Sequence, residues 1–260
     1  MWTLADQLIS SRFILGTAQY PSLDILCEAV IASKTNIITT SLKRQLQPSP
    51  HENLFWNTLK KLNCLVLPNT AGCRHAIEAV NMAEMARELF QTHWIKLEVV
   101  GDDYNLQPDV FELIKAAKLL IKNGFEVFPY CTDDLVLCQR LVDCGCRILM
   151  PWVSPIGSGK GILNPYALET LRTRLPDITL IVDAGIGKPS HATQAMEMGM
   201  DGVLLNTAVS SATNPIKMAT AFRDAIIAGR TAHEAGLMSE RNVAHPSTVL
   251  LDTPFWHGEK

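Results

Sequence analysis

Trp94-Ile95-Lys96-Leu97-Glu98-Val99-Val100 is an apolar run of strand length, broken by two opposite charges two residues apart. Side chains along a strand alternate between its two faces. Ile95, Leu97 and Val99 therefore share one face, suited to packing against helices. Lys96 and Glu98 share the other, which in a closed barrel points inward. Burial alone favours the neutral amine of such a lysine and lowers its pKa. A neutral amine is the nucleophile that imine formation with a ketone requires. The K-x-E pattern by itself also fits a structural Lys–Glu pair inside a barrel, so the surrounding sequence has to decide.

Working outward, comparable runs stand at residues 13–17, 36–42 and 64–70 before this one, and at 126–131, 147–152, 179–185 and 202–208 after it. Near-continuous apolar strands fit a parallel sheet covered by helices. The segments between them are long enough for crossover helices. Asn164-Pro165 and Asn214-Pro215 each offer an N-cap followed by proline at the first helical position. Pro108-Asp109, Thr132-Asp133 and Pro189-Ser190 mark further helix starts. Gly124, Gly145 and Gly199 each follow a helical stretch and precede a strand, where glycine ends helices.

Eight such units in one domain predict a closed (β/α)8 TIM barrel of class α/β. An open doubly wound sheet is the alternative. The dinucleotide fingerprint is missing, because the first turn reads Leu15-Gly16-Thr17-Ala18-Gln19-Tyr20. The expected division is a barrel over residues 1–238 and a tail over 239–260, flexible or partner-docking, in which Phe255 and Trp256 need cover. Segment 43–51, with Pro48 and Pro50, is expected as a mobile loop over the site.

Composition agrees with one domain. The chain has 260 residues, 47% of them hydrophobic, and a barrel of this type runs to about 250. A net charge of -3 without a polybasic run weighs against nucleic acid. Seven cysteines, with Cys131, Cys138, Cys144 and Cys146 close together but no C-x-x-C, read as reduced thiols rather than a metal or redox site. The seven histidines form no H-E-x-x-H, and no metal is expected. The first residues, Met1-Trp2-Thr3-Leu4-Ala5-Asp6-Gln7, lack the basic and apolar regions of a signal peptide, and no apolar run is long enough for a bilayer. The expectation is a soluble cytoplasmic protein.

Barrel active sites form where strands end and βα loops begin. After the sixth strand comes Ser154-Pro155-Ile156-Gly157-Ser158-Gly159-Lys160-Gly161, and after the seventh Asp183-Ala184-Gly185-Ile186-Gly187-Lys188-Pro189-Ser190. After the eighth comes Asn206-Thr207-Ala208. Each alone reads as an ordinary turn. Three adjacent ones point to a phosphate seat, because glycine lets backbone N–H groups approach an anion. The spacing is not that of a Walker A loop. Asp183 closes a strand, where it is either catalytic or a cap for the next helix. Asn69-Thr70-Ala71-Gly72 echoes Asn206-Thr207-Ala208, too briefly for a repeat. His191 reads as a solvated surface histidine beside a helix start.

On these blocks the sequence resembles the thiazole synthase family of bacterial thiamine biosynthesis, from Leu15-Gly16-Thr17 to about Gly236. The specific matches are Leu67-Pro68-Asn69-Thr70-Ala71-Gly72-Cys73, Ile95-Lys96-Leu97-Glu98, residues 154–159, Val182-Asp183-Ala184-Gly185-Ile186-Gly187 and Val203-Leu204-Leu205-Asn206-Thr207-Ala208. The resemblance implies condensation of 1-deoxy-D-xylulose 5-phosphate, 2-iminoacetate (dehydroglycine) and sulfur from a thiocarboxylated carrier protein into a thiazole phosphate. It implies Lys96 as the imine lysine, Glu98 and Asp183 as acid–base groups, and Gly157, Ala184, Gly185, Asn206 and Thr207 as substrate contacts. It implies a cytoplasmic homotetramer without a cofactor, which also meets the carrier and, in some lineages, the dehydroglycine-forming enzyme. Two loops depart from the family: Gln19 stands where a lysine is usual, and Ser41-Leu42-Lys43-Arg44 where Ala-Leu-Arg is common. The rival readings are a class I aldolase-like barrel with a Schiff-base lysine, and a non-catalytic scaffold for the sulfur carrier. The block-by-block match weighs against the first, and retention of Lys96, Glu98 and Asp183 against the second.

Overall fold

The computed structural model describes residues 1–42, 52–245 and 247–248. An antiparallel hairpin comes first, made of β1 (Trp2–Leu4) and β2 (Gln7–Ile9). The strands β3 (Phe13–Gly16), β4 (Ile37–Ser41), β5 (Leu65–Asn69), β6 (Trp94–Leu97), β7 (Glu126–Cys131), β8 (Ile148–Pro151), β9 (Thr179–Asp183) and β10 (Gly202–Leu205) then pair in sequence order. All these pairings are parallel, and β10 returns to β3, so the sheet closes. The expected (β/α)8 barrel is the fold. Around it run α1 (Leu23–Ser33), α2 (Glu52–Lys61), α3 (Ala76–Phe90), α4 (Val110–Lys122), α5 (Leu135–Asp143), α6 (Pro165–Arg174), α7 (Pro189–Glu197), α8 (Thr207–Ser210) and α9 (Pro215–Ala235).

The local chemistry of the helix ends is the one expected. Asn164 and Asn214 accept from the backbone N–H groups of Ala167 and Lys217, with proline directly after each cap. Asp109 accepts from Phe111 and Glu112. The start of α5 is corrected by one residue. Its cap is Asp134, which accepts from the N–H of Leu137 at 2.7 Å, and not the Thr132-Asp133 pair. Gly124, Gly145 and Gly199 all have positive φ at the helix-to-strand turns.

The strand alternation divides the core in two. Ile95, Leu97 and Val99 face outward with Val127, Leu149 and Val182, against the helices. Trp94 and Phe128 face inward with Ile14, Leu67, Met150 and Ile181. The hairpin supplies Leu4 and Ile9 to this inner cluster and so fills the base of the barrel. Asp6 accepts from the indole N–H of Trp94 at 2.8 Å, which seats the hairpin. Three-residue strands are too short to show a period, so the sequence reading has no counterpart to this plug.

Seven of the eight expected strands are shorter than predicted, and three of the shortenings shape the mouth. β6 stops at Leu97, leaving Glu98 beyond the regular ladder. β9 stops at Asp183, because Ala184 and Gly185 take φ of 79° and 86°. β10 stops at Leu205, because residues from Thr207 form a helical turn. The anticipated loop 43–51 and the aromatic pair Phe255 and Trp256 lie outside the described residues. Residues 239–245 carry no regular structure and are exposed. Among the described residues no helix is long and apolar enough to cross a membrane, and no group of ligating side chains could hold a metal. The cysteines are free thiols, with Cys131, Cys138 and Cys146 buried.

Phe128 stands at the centre of the inner cluster with no exposure. Phe128→Ala should destabilise the fold by about 3–5 kcal/mol, the usual range for emptying a buried aromatic site. Urea unfolding followed by circular dichroism measures it, and a loss below 1 kcal/mol would contradict this packing.

Candidate active site

The barrel brings Lys96 from β6 and Asp183 from the end of β9 together across its interior. The Lys96 Nζ lies 2.7 Å from Asp183 Oδ2 and 3.1 Å from Glu98 Oε1. All three residues are buried, at 6%, 3% and 7% exposure. The ring centroid of Tyr130 lies 5.9 Å from the amine. The sequence left Asp183 open as a helix cap. The cap position of α7 belongs to Lys188, and Asp183 faces the lysine instead.

Electrostatics overturn one expectation. Burial does push the Lys96 pKa down, but Asp183 and Glu98 more than offset it, and the pKa is raised. Two carboxylates at contact distance stabilise the ammonium more than lost hydration destabilises it. The resting lysine is therefore charged. Asp183 is pushed up to about 6, first by burial, with Lys96 opposing and Glu98 adding to the rise. One cation between two acids leaves the cluster with an excess negative charge, so Asp183 is poised to take a proton. The Tyr130 hydroxyl is held in its neutral form by burial and by the nearby Asp183 and Glu98.

Lys96, Glu98 and Asp183 line the floor of a cavity of about 760 Å³ at the carboxyl ends of the strands. Gly157, Ala184, Gly185, Asn206 and Thr207 all line its wall with Lys96, Glu98 and Asp183, so every site residue expected from the sequence meets in one place. Gln19, with φ of 65°, lines the same cavity. The loops after β8 and β9 interlock. A Cβ on Gly185 would strike the Ser154 side chain, and one on Gly187 would strike the Gly159 backbone. The N–H of Gly161 donates to the Gly185 carbonyl at 2.8 Å, and Ser158 donates to the Ser154 hydroxyl oxygen at 3.1 Å. Asn206 donates to the Ala18 carbonyl at 2.9 Å, tying the end of β10 to the loop after β3.

His191 is not the solvated residue expected. It is half-buried, and its Nδ1 accepts from the N–H of Gly187 at 3.3 Å. Burial, and then Lys188, push its pKa down, which keeps it neutral and able to accept. The sequence reading assigns no site role to Asn69, Thr39, Thr40 and Ser41, which line the cavity from β4 and β5. Their signal was available: polar residues in apolar strands, with Asn69 directly beside Lys96 in register.

A (β/α)8 barrel with a buried lysine between two carboxylates, under glycine-rich loops suited to an anion, defines a class of barrel with an enzyme-like site at its mouth. The comparisons narrow that class. Residues 3–249 match the family described as Thiazole biosynthesis protein ThiG. A thiazole synthase of Coxiella burnetii (strain RSA 331 / Henzerling II) is 58% identical over 255 residues, covering 98% of each chain. One from Bradyrhizobium sp. (strain ORS 278) is 58% identical over 252 residues, covering 97% of each. A chain in the crystal structure of the Amycolatopsis orientalis BexX/CysO complex superposes with a TM-score of 0.84 at 29% identity, covering 93% of this chain and 98% of that one. The chain belongs to this family, the thiazole synthases of thiamine biosynthesis.

Two outcomes follow from this geometry. Gly185→Ala should cost about 1–3 kcal/mol, because the residue combines a left-handed φ with contact against Ser154; the shift in the urea midpoint reads it. The folded pKa of Asp183, about 6, lies above its ordinary value of 3.8, so folding binds a proton between the two. Stability from this group is full below pH 3.8 and is lost as pH rises through about 6. Asp183→Asn should flatten that part of the pH dependence of unfolding, and an unchanged profile would contradict the assignment.

Proposed function

We propose that the protein forms an imine between Lys96 and 1-deoxy-D-xylulose 5-phosphate. It then condenses that adduct with 2-iminoacetate and sulfur from a thiocarboxylated carrier protein, giving a thiazole phosphate. The observation that carries this reading is the Lys96 amine on the cavity floor, within 3.1 Å of two carboxylates. Relatives named thiazole synthase support it.

The reaction starts from a charged lysine, so one proton must leave before the nitrogen lone pair can attack. Asp183, already raised to about 6, is the acceptor. The amine then adds to the ketone carbon, and the carbonyl oxygen leaves as water after receiving protons from the carboxyl pair. The resulting C=N bond acts as an electron sink. It lets a neighbouring C–H proton be removed and returned one carbon along, which shifts the carbonyl to where sulfur attacks. Each shift takes one proton and gives one back, which suits Glu98 and Asp183 on either side of the nitrogen. The loops bearing Gly157, Ala184, Gly185, Asn206 and Thr207 hold the phosphate, so that the reacting carbons stay above Lys96.

A cavity of about 760 Å³ is the size of a pocket for a whole drug-sized ligand, roughly 300–1,000 Å³, and so has room for more than a five-carbon phosphate. The remaining space suits 2-iminoacetate and the end of a carrier chain. A relative seen as a BexX/CysO complex supports a protein partner for this barrel. The family resemblance extends the proposal to a cytoplasmic homotetramer that also meets the dehydroglycine-forming enzyme.

Borohydride reduction in the presence of 1-deoxy-D-xylulose 5-phosphate should leave an adduct on Lys96 by peptide mass spectrometry. No adduct, or one that survives Lys96→Ala, would refute the imine. Fructose 1,6-bisphosphate, run in parallel, should give none; efficient trapping with it would favour the aldolase reading. Glu98→Gln and Asp183→Asn should still trap the ketose, because in each the remaining carboxylate can take the Lys96 proton, while turnover falls by about 10²–10⁴-fold, the usual loss for a general acid–base group. The wild-type rate should fall as pH drops through about 6, where Asp183 gains its proton.

A further inference from the structure

Thr70 lies outside every role assigned so far, although Asn69-Thr70-Ala71-Gly72 stands out in the sequence. Its side chain has no exposure. Its hydroxyl oxygen accepts from the N–H of Glu98 at 2.8 Å, and its O–H donates to the carbonyl of the same residue at 2.7 Å. One side chain thus holds both backbone polar groups of Glu98. The backbone N–H of Thr70 also donates to the Lys96 carbonyl at 3.1 Å.

The need for this arrangement comes from where the strands stop. β5 and β6 share a single registered pair, Asn69 with Lys96. Beyond it β5 turns away, with Gly72 at φ of 83°, and β6 ends at Leu97. Glu98 would otherwise present an N–H and a C=O to a missing strand neighbour, and buried backbone groups need partners. The Thr70 hydroxyl, at once donor and acceptor, replaces that neighbour.

We infer that Thr70 is the positioning residue for Glu98, holding its carboxylate in register with the Lys96 amine for proton transfer. The inference rests on the imine reading for the identity of the step. Thr70 is buried beneath the cavity wall, so it acts through Glu98 and not on substrate. Glu98 Oε1 lies 3.1 Å from the Lys96 Nζ, and misplacement by about 1 Å is enough to cost on the order of 10²-fold in rate. Valine matches threonine in shape and lacks the hydroxyl. Serine keeps the hydroxyl and lacks the methyl. The pair therefore separates hydrogen bonding from packing.

The test compares Thr70→Val, Thr70→Ser, Glu98→Gln and the Thr70→Val/Glu98→Gln double variant in the full-length protein. Thiazole phosphate formation is assayed with the complete set of reactants. Thr70→Val should lower kcat by about 10–100-fold, with KM for the ketose phosphate changed by less than about threefold and the borohydride adduct undiminished. Thr70→Ser should recover kcat to within about threefold. In the Glu98→Gln background Thr70→Val should cause almost no further loss, as expected of two residues acting as one unit. A Thr70→Val protein with wild-type kcat would overturn the inference. So would a loss that multiplies fully with that of Glu98→Gln, or a loss of adduct and of melting temperature that serine does not restore. Absence of adduct on the wild-type protein would instead overturn the imine reading, and it is seen before any change at Thr70 is made.

Discussion

The ammonium of Lys96 between Glu98 and Asp183 is the contact around which the molecule is arranged. A charge in the middle of a closed sheet is tolerated only with partners at hydrogen-bond distance, and here it has two. The second carboxylate is surplus to neutralisation. On the proposed chemistry, that surplus acid is what lets the cluster move protons as well as hold a charge. The strand ends keep the three groups in one small volume: β6 ends just before Glu98, β9 ends at Asp183, and the aromatic ring of Tyr130 stands beside the amine.

That cluster also explains why burial misleads when read alone. An inward lysine with a single acidic neighbour is a reasonable candidate for a lowered pKa. The position of Asp183 beside it depends on barrel closure across 87 residues of chain, which K-x-E does not encode. The sign of the shift changes once the second acid arrives. Barrel closure and the inward facing of Lys96, by contrast, were legible. Strand alternation, caps at Asn164 and Asn214 and glycines at helix ends are local rules, and the structure follows them. The meeting of Gly157, Ala184, Gly185, Asn206 and Thr207 with the lysine follows from barrel geometry once the strand order is known.

What escaped the sequence lies in contacts that only the assembled fold displays, whether the partners are distant or near in the chain. Thr70 and Glu98 are 28 residues apart and look unremarkable separately. His191 is four residues from the glycine it serves, yet only the interlocked loops show that it accepts rather than faces water. The hairpin of β1 and β2 is invisible to periodicity because each strand has three residues.

That hairpin has a consequence for traffic. Leu4 and Ile9 fill the base of the barrel, so among the described residues the cavity opens at the carboxyl ends of the strands. On the proposed chemistry, a sugar phosphate, a small imine, the end of a carrier chain and the finished heterocycle all share that doorway. A bulky protein seated there would act as a stopper. On that reading the order of arrival would be a property of the architecture: small reactants would enter before the carrier docks, and the product would leave only after the carrier has gone.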